Sequence, residues 1–487
     1  MQTKLIRRRL FAVALALVLC FAMLLAAAPQ AFAQTNNFLI FNPYQSVDWT
    51  AFGQYKAAFH VHTQHSDGAA SMADTIADHY NKGFDILAIT DHDVLVNRWD
   101  EPPRTPPRYA DRVSYLTPAQ KQAIYAGTFT GPFPYPFTEA RRQQQNGMIS
   151  LPATNEQSVT EHINTFWAPF NNARGDSMED ILGTTQELGG LAIINHPGRY
   201  TGGQQGGTIG RAASNNPLRI ASYARLFRDF DVALGMEIFN RLDNETRADR
   251  ILWDNILMRL MPEGRPVFGF SNDDSHGLNQ TGYNFNILLM PELTADAARV
   301  SLEAGAFYAV ARVARLEGIN TTLPNGRAIP TGGNADTLFM LDQPTPRITN
   351  IVAEYDIITI TGRDYDRIEW IADGRVIATG ATLDLNAHQG DINHNYVRAQ
   401  LISETGIAAT QPFGIWSVDE QLPQQLTGGP LPWRPEPTFY AVYETPASHP
   451  HTGDSHVLPV VLAAFAMLSA LAVVGLQKHK KTQNISE

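Results

Sequence analysis

The chain has 487 residues, of which 44% are hydrophobic, and a formal net charge of −11 at pH 7. This length allows two or three globular domains. An acidic surface disfavours general binding to nucleic acids and to anionic membranes, so we expect no nucleic-acid partner. The one cysteine, Cys20, lies in an apolar N-terminal segment. The rest of the chain therefore offers neither a disulfide nor a thiolate nucleophile, and its chemistry must come from other side chains.

Residues 1–33 have the pattern of a secretory signal peptide. Four basic side chains precede a long apolar stretch, and the small-residue sequence AFA comes just before Gln34. A retained membrane anchor is the alternative interpretation. Cleavage after Ala33 removes four positive charges and no negative ones, which changes the net charge from −11 to −15. We therefore expect the mature chain to be exported.

Residues 34–315 have the pattern of an α/β domain. From about residue 55 onward, apolar strand-like runs alternate with helix-like segments, which predicts a mostly parallel sheet. The sequence SMADTIADHYNKG predicts a helix with Ser71 as its N-cap, Asp74 in a capping box and Gly83 after its last turn.

An insertion at residues 97–147 interrupts this alternation with many prolines, aromatic residues and arginines. It follows directly after the strand that ends near His92. It therefore starts at the C-terminal ends of the strands, where such folds build their sites. We interpret it as a cover over that edge, and a disordered decoration is the alternative.

The C-terminal part of the chain has a different character. Residues 316–416 contain β-branched, turn-punctuated segments, which predict a small all-β sandwich domain. Residues 417–455 resemble a proline-rich linker. Residues 456–477 include an apolar run long enough to cross a bilayer, and the basic residues 478–487 follow it. The positive-inside rule places this tail in the cytoplasm and the preceding domains outside.

The sequence HPHTGD, just before the apolar run, resembles the xPxTG sorting signal of sortase substrates in Gram-positive bacteria. The resemblance implies cleavage between Thr452 and Gly453 and attachment to cell-wall peptidoglycan, with a sortase as partner. His449 stands where the common signal has leucine. A retained transmembrane helix, which would anchor the chain in the membrane, is the alternative.

Histidines and carboxylates collect at the ends of the strand-like runs. In FHVHTQHSDG, His60 and His62 would point to one side of an extended strand and form a chelating pair. Eight of the 14 histidines fall between positions 60 and 276, and six of the eight lie at such ends. Parallel α/β folds build their sites at the C-terminal ends of their strands. Six histidines placed in this way, together with carboxylates, predict a multinuclear metal site. The side chains in the series are His60, His62, Asp91, His92, Asp93, Glu156, His162, His196, Glu237, Asp274 and His276.

Imidazole and carboxylate ligands suit Zn, Mn or Fe better than Mg or Ca. The motifs HVHTQHSDG, AITDHD, NEQS, INHPG and SNDDSH also occur in an order similar to that of the PHP superfamily, the polymerase-and-histidinol-phosphatase metallohydrolases. This resemblance covers roughly residues 55–315. The EHINTF segment, the GMEIFN strand and the attached β-domain look more like the branch that contains carbaryl-hydrolase-type enzymes.

The resemblance implies a fold and a ligand set. The implied fold is a distorted (β/α)7 barrel that holds two to three divalent transition metals. Glu156 would be the carboxylate that bridges metals, and Glu237 matches an acidic position that is a possible further ligand. The matching ligand positions are His60, His62, Asp67, His92, Glu156, His162, His196, Asp274 and His276.

The reaction that fits these groups is metal-assisted hydrolysis, in which an activated water attacks phosphorus or an acyl carbon. The sequence leaves the proton transfer open between Asp93 and His276. Arg199, just after NHPG, is a candidate for binding an anionic substrate group, and a solvated surface residue is the alternative. We therefore expect an extracytoplasmic, surface-anchored phosphoesterase that acts on a small-molecule or polymer ester.

The sequence leaves two other functions open. The same metals could serve a carboxylic or carbamic ester hydrolase, as the resemblance to the carbaryl-hydrolase branch permits. A protein of another class, a glycan-binding adhesin with a vestigial metal site, would use the β-sandwich and the aromatic insertion. A vestigial metal site should have lost at least one type of ligand. The complete series of histidine and carboxylate positions therefore argues against a vestigial site.

Overall fold

The computed structural model describes residues 36–96, 116–130, 147–172 and 175–419. These residues form a mixed α/β fold with three β-sheets of eleven, five and three strands. The helices are α1 (Met72–Asn81), α2 (Pro118–Tyr125), α3 (Met178–Glu187), α4 (Pro197–Thr201), α5 (Gly207–Ser214), α6 (Pro217–Asp229), α7 (Asp249–Leu260) and α8 (Ala295–Ala304). The strands are β1 (Phe38–Phe41), β2 (Gly53–Ala58), β3 (Ile86–Leu87), β4 (Ile149–Ser150), β5 (Asn155–Ser158), β6 (His162–Phe166), β7 (Leu191–Ile194), β8 (Ala233–Asn240), β9 (Phe268–Asn272), β10 (Asn284–Met290), β11 (Phe307–Ala311), β12 (Arg347–Glu354), β13 (Ile357–Arg363), β14 (Arg367–Ala372), β15 (Arg375–Thr379), β16 (Thr382–Asp384), β17 (Tyr396–Ser403), β18 (Gly406–Ala409) and β19 (Phe413–Ser417).

Several predicted features lie outside the described residues. They are the signal peptide, most of the insertion, the linker, the apolar C-terminal run and the Thr452–Gly453 junction. Within the described part of the chain, no helix is both long enough and apolar enough to cross a membrane.

The predicted helix after Ser71 is confirmed as α1. The Ser71 Oγ atom accepts a hydrogen bond from the Asp74 N–H at 3.0 Å, which satisfies one of the donors left open at a helix start. The full capping box does not form, because the Asp74 carboxylate accepts from Ser71 Oγ at 2.7 Å instead of from the Ser71 backbone. Gly83 follows the last turn with φ of +72°, a conformation that glycine adopts without strain.

The sheets around the predicted site are only partly parallel. Strands β2, β3 and β4 pair in parallel, and so do β7, β8 and β9. Strands β5, β6 and β7 pair antiparallel, however, because the EHINTF segment forms a strand of its own. Two further antiparallel strands, β10 and β11, extend the larger sheet beside β2.

A closed (β/α)7 barrel is not confirmed. The strands around the site belong to two separate sheets, and β3 and β4 contribute only two residues each to the hydrogen-bonded ladder. Two isolated bridges, Val61 to Ser275 and His92 to Glu156, connect the strand ends of one sheet with those of the other. These connections bring the predicted ligands of both sheets to one place.

An aromatic cluster lies among these strands. Phe59 packs edge-on against Phe166 and Phe270, with ring centroids 5.9 Å and 6.3 Å apart, and all three side chains are buried. Each such ring contributes about 1.5–3 kcal/mol through burial. Since Phe59 directly precedes His60, this packing fixes the backbone from which the first predicted ligand projects.

The C-terminal β region is continuous with the α/β part. Strand β18 pairs with β11, so the eleven-stranded sheet runs from the site region into the predicted sandwich. The three-stranded sheet of β12, β13 and β16 contributes Ile348 and Ile358 to the same apolar core as Trp370 and Leu401. Strand β1 pairs with β19, so the segment Phe38–Phe41 belongs to this β region, although the sequence groups it with residues 34–315.

Candidate metal centre

Two extended residues beyond the end of β2 carry the first histidines. His60 and His62 are buried, and their Nε2 atoms lie 3.1 Å apart, as expected for alternate residues of an extended chain. The same atoms lie 3.3 Å and 3.1 Å from Asp274 Oδ1. The loop after β9 thus places a carboxylate directly against the histidine pair.

Glu156 lies at the centre of the histidines. Its Oε1 atom lies 3.1 Å from His60 Nε2 and 3.0 Å from His162 Nδ1, and its Oε2 atom lies 2.7 Å from His92 Nδ1. The Asn195 side-chain amide donates a further hydrogen bond to Oε1 at 2.8 Å. This buried carboxylate on β5 contacts imidazoles from three different parts of the chain, which is the geometry that a bridging ligand requires.

All nine predicted ligands lie in groups whose donor atoms can approach one cation. Within each group, one donor atom from every residue lies within 4.8 Å of the others. Neighbouring groups share residues, so the donors form one continuous cluster. The groups are His62 with Asp67, His92 and His276; His60 with His62 and Asp274; His60 with Glu156 and His196; and His92 with Glu156 and His162.

Charges within the cluster keep its carboxylates ionised. Burial opposes ionisation of Glu156, but the neighbouring imidazoles, His92 first, hold its pKa well below the usual range. The Arg241 guanidinium has the same effect on the pKa of the buried Asp274. Against the effect of burial, Glu156 raises the pKa of His92 to about 9, whereas burial and neighbouring imidazoles lower that of His62 to about 3. The ionised carboxylates and the neutral His62 imidazole are the forms that bind a metal, and a bound cation would take the place of the proton on His92.

Glu237, the possible further ligand, lies behind the histidines. Its Oε1 atom accepts from His60 Nδ1 at 2.8 Å, and its Oε2 atom accepts from the His196 backbone N–H at 2.9 Å. The side-chain amides of Asn240 and Asn272 donate to the same carboxylate at 2.8 Å and 2.9 Å. Glu237 is in none of the donor groups. A carboxylate on Nδ1 leaves His60 Nε2 facing the cluster, as in many carboxylate–histidine–metal arrangements.

Asp91 fixes the loop that follows the histidine pair. Its buried carboxylate accepts from the Thr63 N–H at 2.7 Å, from Thr63 Oγ1 at 2.6 Å and from Ser66 Oγ at 2.6 Å. These bonds hold the segment between His62 and Asp67. The segment after β3 thereby positions His62 and Asp67, two metal-donor residues that follow β2.

Asp93 and Arg199, which the sequence predicts for proton transfer and anion binding, belong to none of the donor groups. Asp93 Oδ1 accepts a hydrogen bond from the Ser158 N–H at 2.9 Å, and Asp93 has a φ of +56°. Arg199 lies on the short helix α4, and its side chain is exposed. Their catalytic roles stay predictions.

Arg241, just after β8, is a residue that the sequence reading missed. Its Nε atom lies 2.9 Å from Asp274 Oδ2, and its Nη2 atom donates to His276 Nδ1 at 2.7 Å. The side chain is about 25% exposed, so part of the guanidinium remains accessible beside the cluster. An arginine directly after the GMEIFN strand is the signal that could have identified it.

Arg241 belongs to a left-handed turn. Arg241, Leu242 and Asp243 have φ values of +48°, +53° and +54°, which are unfavourable for residues other than glycine. With its amide oxygen facing the turn, Asn284 accepts from the N–H groups of Arg241 and Leu242 at 3.2 Å. Arg250 holds the Asp243 carboxylate through two hydrogen bonds of 2.9 Å and 2.8 Å. The surrounding structure thus maintains a strained turn that aims Arg241 at the site.

We expect Arg250→Met to destabilise the protein strongly. Arg250 is buried and also pairs with Glu317 at 2.7 Å, so its removal leaves two carboxylates without their cation. Breaking a buried ion pair from one side lowers the free energy of unfolding by about 3–5 kcal/mol. Urea denaturation of the metal-free protein measures this loss. Arg225→Met, which removes an exposed pair with Glu179, is the matched control and should change stability by less than about 1 kcal/mol. Equal effects of both variants would contradict this role of Arg250.

Tyr200, on α4, is a second residue that the sequence reading missed. Its ring lies against the imidazoles of His162 and His196, with centroids 5.6 Å and 5.7 Å away. Its hydroxyl is buried and has no hydrogen-bond partner among the described residues. Burial raises the pKa of Tyr200, so the hydroxyl keeps its proton and can act as a donor. Buried polar atoms nearly always have a hydrogen-bond partner. The missing partner of this hydroxyl is therefore expected to be a bound molecule.

The residues present fit a transition-metal centre. Imidazoles and carboxylates are the ligands that Zn, Mn and Fe accept, and the cluster contains six of the first and three of the second. The buried His196 Nε2 atom faces Glu156 Oε1 at 3.7 Å and Asp274 Oδ2 at 3.9 Å, distances that exceed a hydrogen bond and suit a cation between the three atoms. The Nε2 atoms of His60 and His62 also face each other and two carboxylates, a place where a cation would relieve the repulsion between lone pairs.

No protein-family model matches the chain, and no curated protein matches it. Among solved structures, a two-domain protein from Bacteroides vulgatus with a predicted PHP-like metal-dependent phosphoesterase is similar, at 14% identity and a TM-score of 0.38, over 77% of this chain and 89% of that one. The lesion-specific endonuclease EndoQ of Pyrococcus furiosus is 12% identical, with a TM-score of 0.26, over 51% of this chain and 55% of that one. A Bifidobacterium adolescentis protein inferred to be a metal-dependent phosphoesterase has the same identity and TM-score over 45% of this chain and 87% of that one. At these identities and TM-scores, the similarities do not assign a function. The solved structures that this chain resembles include PHP-like metal-dependent phosphoesterases.

Proposed function

We propose that the chain is a metal-dependent phosphoesterase that hydrolyses a phosphate ester with an activated water. The observation that carries this proposal is the convergence of nine histidine and carboxylate side chains on one buried cluster around Glu156. Bound divalent cations would lower the pKa of a water molecule and neutralise the charge that develops on the ester oxygens. The ligand set that we propose is His60, His62, Asp67, His92, Glu156, His162, His196, Asp274 and His276, with two to three Zn, Mn or Fe ions.

Arg241 favours an anionic substrate. It is a permanently charged side chain beside the cluster, and its planar guanidinium suits the oxygens of a phosphoryl group. We propose that Arg241 binds a phosphoryl oxygen, the role that the sequence assigns to Arg199. The Tyr200 hydroxyl, whose ring lies against His162 and His196, would donate a hydrogen bond to another ester oxygen.

The proton transfer remains a choice between two groups. His276 Nδ1 accepts from Arg241, and His276 Nε2 lies 3.2 Å from Asp67 Oδ1, so its ring is held within a donor group. Asp93 lies outside these groups and is bonded to a backbone N–H. We therefore propose His276 as a ligand first and keep Asp93 as the candidate for proton transfer.

The fold and location complete the proposal. We propose a distorted PHP-type barrel, which is supported by the motif order and by the two bridges, Val61 to Ser275 and His92 to Glu156, that connect the sheets at the site. The proposal of the carbaryl-hydrolase-like branch rests on the EHINTF segment, the GMEIFN strand and the attached β-domain. Export and anchoring at the cell surface rest on the sequence patterns at the two ends of the chain. Mass spectrometry of the C-terminal peptide from cell-wall-released protein tests the anchor, since a peptide that ends at Thr452 requires cleavage before Gly453.

A metal and substrate panel tests the function. The purified protein should bind about two to three equivalents of Mn or Zn, measured by elemental analysis. The loaded protein should then hydrolyse a bis-aryl phosphate or an aryl phosphate faster than an aryl carboxylic ester. Faster cleavage of the carboxylic ester would favour the esterase alternative, and no cleavage of any substrate would favour a binding protein. Less than about one equivalent of metal after reconstitution would contradict the multinuclear site.

A further inference from the structure

A cavity lies against strand β2, ahead of the chain segment that carries His60 and His62. It has a volume of about 340 Å³, at the small end of the range for ligand sites. Its floor is one face of strands β2, β10 and β11, where Phe285, Ile287 and Val310 supply an apolar surface. The segment 343–347 and the end of β13 close over this floor. The cavity therefore lies where the α/β part meets the C-terminal β region.

Lys56 supplies an unpaired cation to this cavity. Among the described residues, its Nζ atom donates one hydrogen bond, to the Lys82 carbonyl oxygen at 3.0 Å, and no carboxylate oxygen lies within 4.0 Å. The ammonium lies over the rings of Phe84 and Phe285, 4.1 Å and 4.6 Å from their centroids. Burial and repulsion from Arg312 lower the pKa of Lys56 to about 8. A buried or half-buried ammonium normally has a counter-ion, and the Lys56 ammonium has none among the described residues.

The charges that line the cavity sum to a single positive charge. Lys56, Arg347 and Arg363 contribute three positive charges, and Asp85 and Asp364 contribute two negative ones, so the sum is +1 in a chain of net charge −11. The Asp85 carboxylate accepts from the Lys56 backbone N–H at 2.8 Å, which uses part of its hydrogen-bonding capacity elsewhere. One negative charge on a bound molecule would balance this lining.

The polar groups at the rim are already oriented. Arg347 Nε donates to Gln54 Oε1 at 2.7 Å, and Tyr308 OH donates to the same oxygen at 3.0 Å. Gln54 is in turn fixed by its Nε2 atom, which donates to the Ile348 carbonyl oxygen at 2.9 Å. The Arg347 guanidinium keeps further N–H groups that point away from Gln54, because one guanidinium carries five donors.

We propose that this cavity is a binding site for a small organic monoanion, a carboxylate attached to a short apolar body. Lys56 and Arg347 hold the carboxylate, and the apolar body lies on Phe285, Ile287 and Val310. A doubly charged, strongly hydrated phosphate suits this site less well, because the lining offers one excess charge and an apolar floor. The site is separate from the metal centre, since none of its lining residues is in a donor group.

Calorimetric titration of the full-length purified protein tests the site, with sodium benzoate as the probe and benzamide as its neutral counterpart. We expect benzoate to bind and benzamide to bind at least about tenfold more weakly, because only the anion pairs with the ammonium. At pH 8.5, titrations in two buffers of different ionisation enthalpy should show proton uptake on benzoate binding, since an anion stabilises the charged form of Lys56. Inorganic phosphate should bind in this cavity more weakly than benzoate, measured as the part of the phosphate binding that Lys56→Met removes.

Three variants make the outcome specific. Lys56→Met should weaken benzoate binding at least about tenfold and abolish the proton uptake, and Arg347→Met should weaken binding with less effect on the uptake. Lys121→Met, on α2, is the matched control and should bind benzoate as the parent does. Metal content should stay unchanged in all three. Equal binding of benzoate by Lys56→Met and the parent would overturn the proposal. So would phosphate binding that is stronger than benzoate binding and is lost in Lys56→Met. Binding that survives Lys56→Met but disappears in Glu156→Gln would place the carboxylate at the metal centre and overturn it as well.

Discussion

Replacing Glu156 by Gln should remove both metal and activity. The carboxylate lies between His60, His92 and His162 at 2.7–3.1 Å, so a neutral amide removes an anion that all three imidazoles contact. An amide also cannot bridge two cations as a carboxylate does. We expect a loss of about a thousand-fold in kcat, beyond the 10–100-fold typical of groups that only support a ligand. Elemental analysis should show at least one equivalent of metal less than in the parent.

Two comparisons make this result interpretable. Asn195→Ala removes the 2.8 Å hydrogen bond to Glu156 and should cost about 10–100-fold in activity or metal affinity, as expected for a supporting partner. Glu303→Gln makes the same chemical change at a residue paired with Arg299 on α8, and it should leave metal content and kcat as in the parent. Full activity in Glu156→Gln would show that the central carboxylate is not a ligand and would remove the proposed site.

The parts of this site that the sequence could predict follow from short-range geometry. The alternation of an extended chain places His60 and His62 on one side, and their Nε2 atoms are 3.1 Å apart. The sequence predicts Glu156 at the end of one strand-like run, ISLPATNE, whereas the structure places it inside the separate strand β5, whose antiparallel partner β6 begins with His162. The pairing of β1 with β19 joins residues nearly 380 positions apart, and no local pattern records such a contact.

Arg241 shows why the rest could not be read from local patterns. Intrinsic preference does not predict an arginine and a leucine in consecutive left-handed conformations. The turn exists because Asn284, on β10, and Arg250, on the next helix α7, satisfy its backbone and its Asp243 carboxylate. Arg199 follows a conspicuous histidine motif, but its helix turns the side chain toward solvent. Tertiary contacts, rather than sequence proximity to a motif, decide which arginine lies beside the donors.

Replacing Arg241 by Met should therefore reduce phosphate-ester hydrolysis far more than replacing Arg199 by Met. A hydrogen bond to a charged group contributes about 1.5–3 kcal/mol, so we expect kcat/KM for an aryl phosphate to fall by roughly 10–150-fold in Arg241→Met. Arg241→Lys should recover part of the loss, because a lysine keeps the charge without the bidentate geometry. Arg199→Met should change kcat/KM by less than about threefold, as expected for an exposed side chain.

The substrate's charge separates binding by Arg241 from a purely structural role. Arg241 also pairs with Asp274 at 2.9 Å, so its loss could disturb the donor cluster and lower all activities together. In that case, metal content would fall, and hydrolysis of a neutral aryl ester would decrease as much as that of an aryl phosphate. If Arg241 binds the phosphoryl group, metal content stays at the parent level and the loss is concentrated in the anionic substrate, because only that substrate has a charge to pair with the guanidinium. A large loss in Arg199→Met with none in Arg241→Met would reverse the assignment and return the anion-binding role to the residue next to the histidine motif.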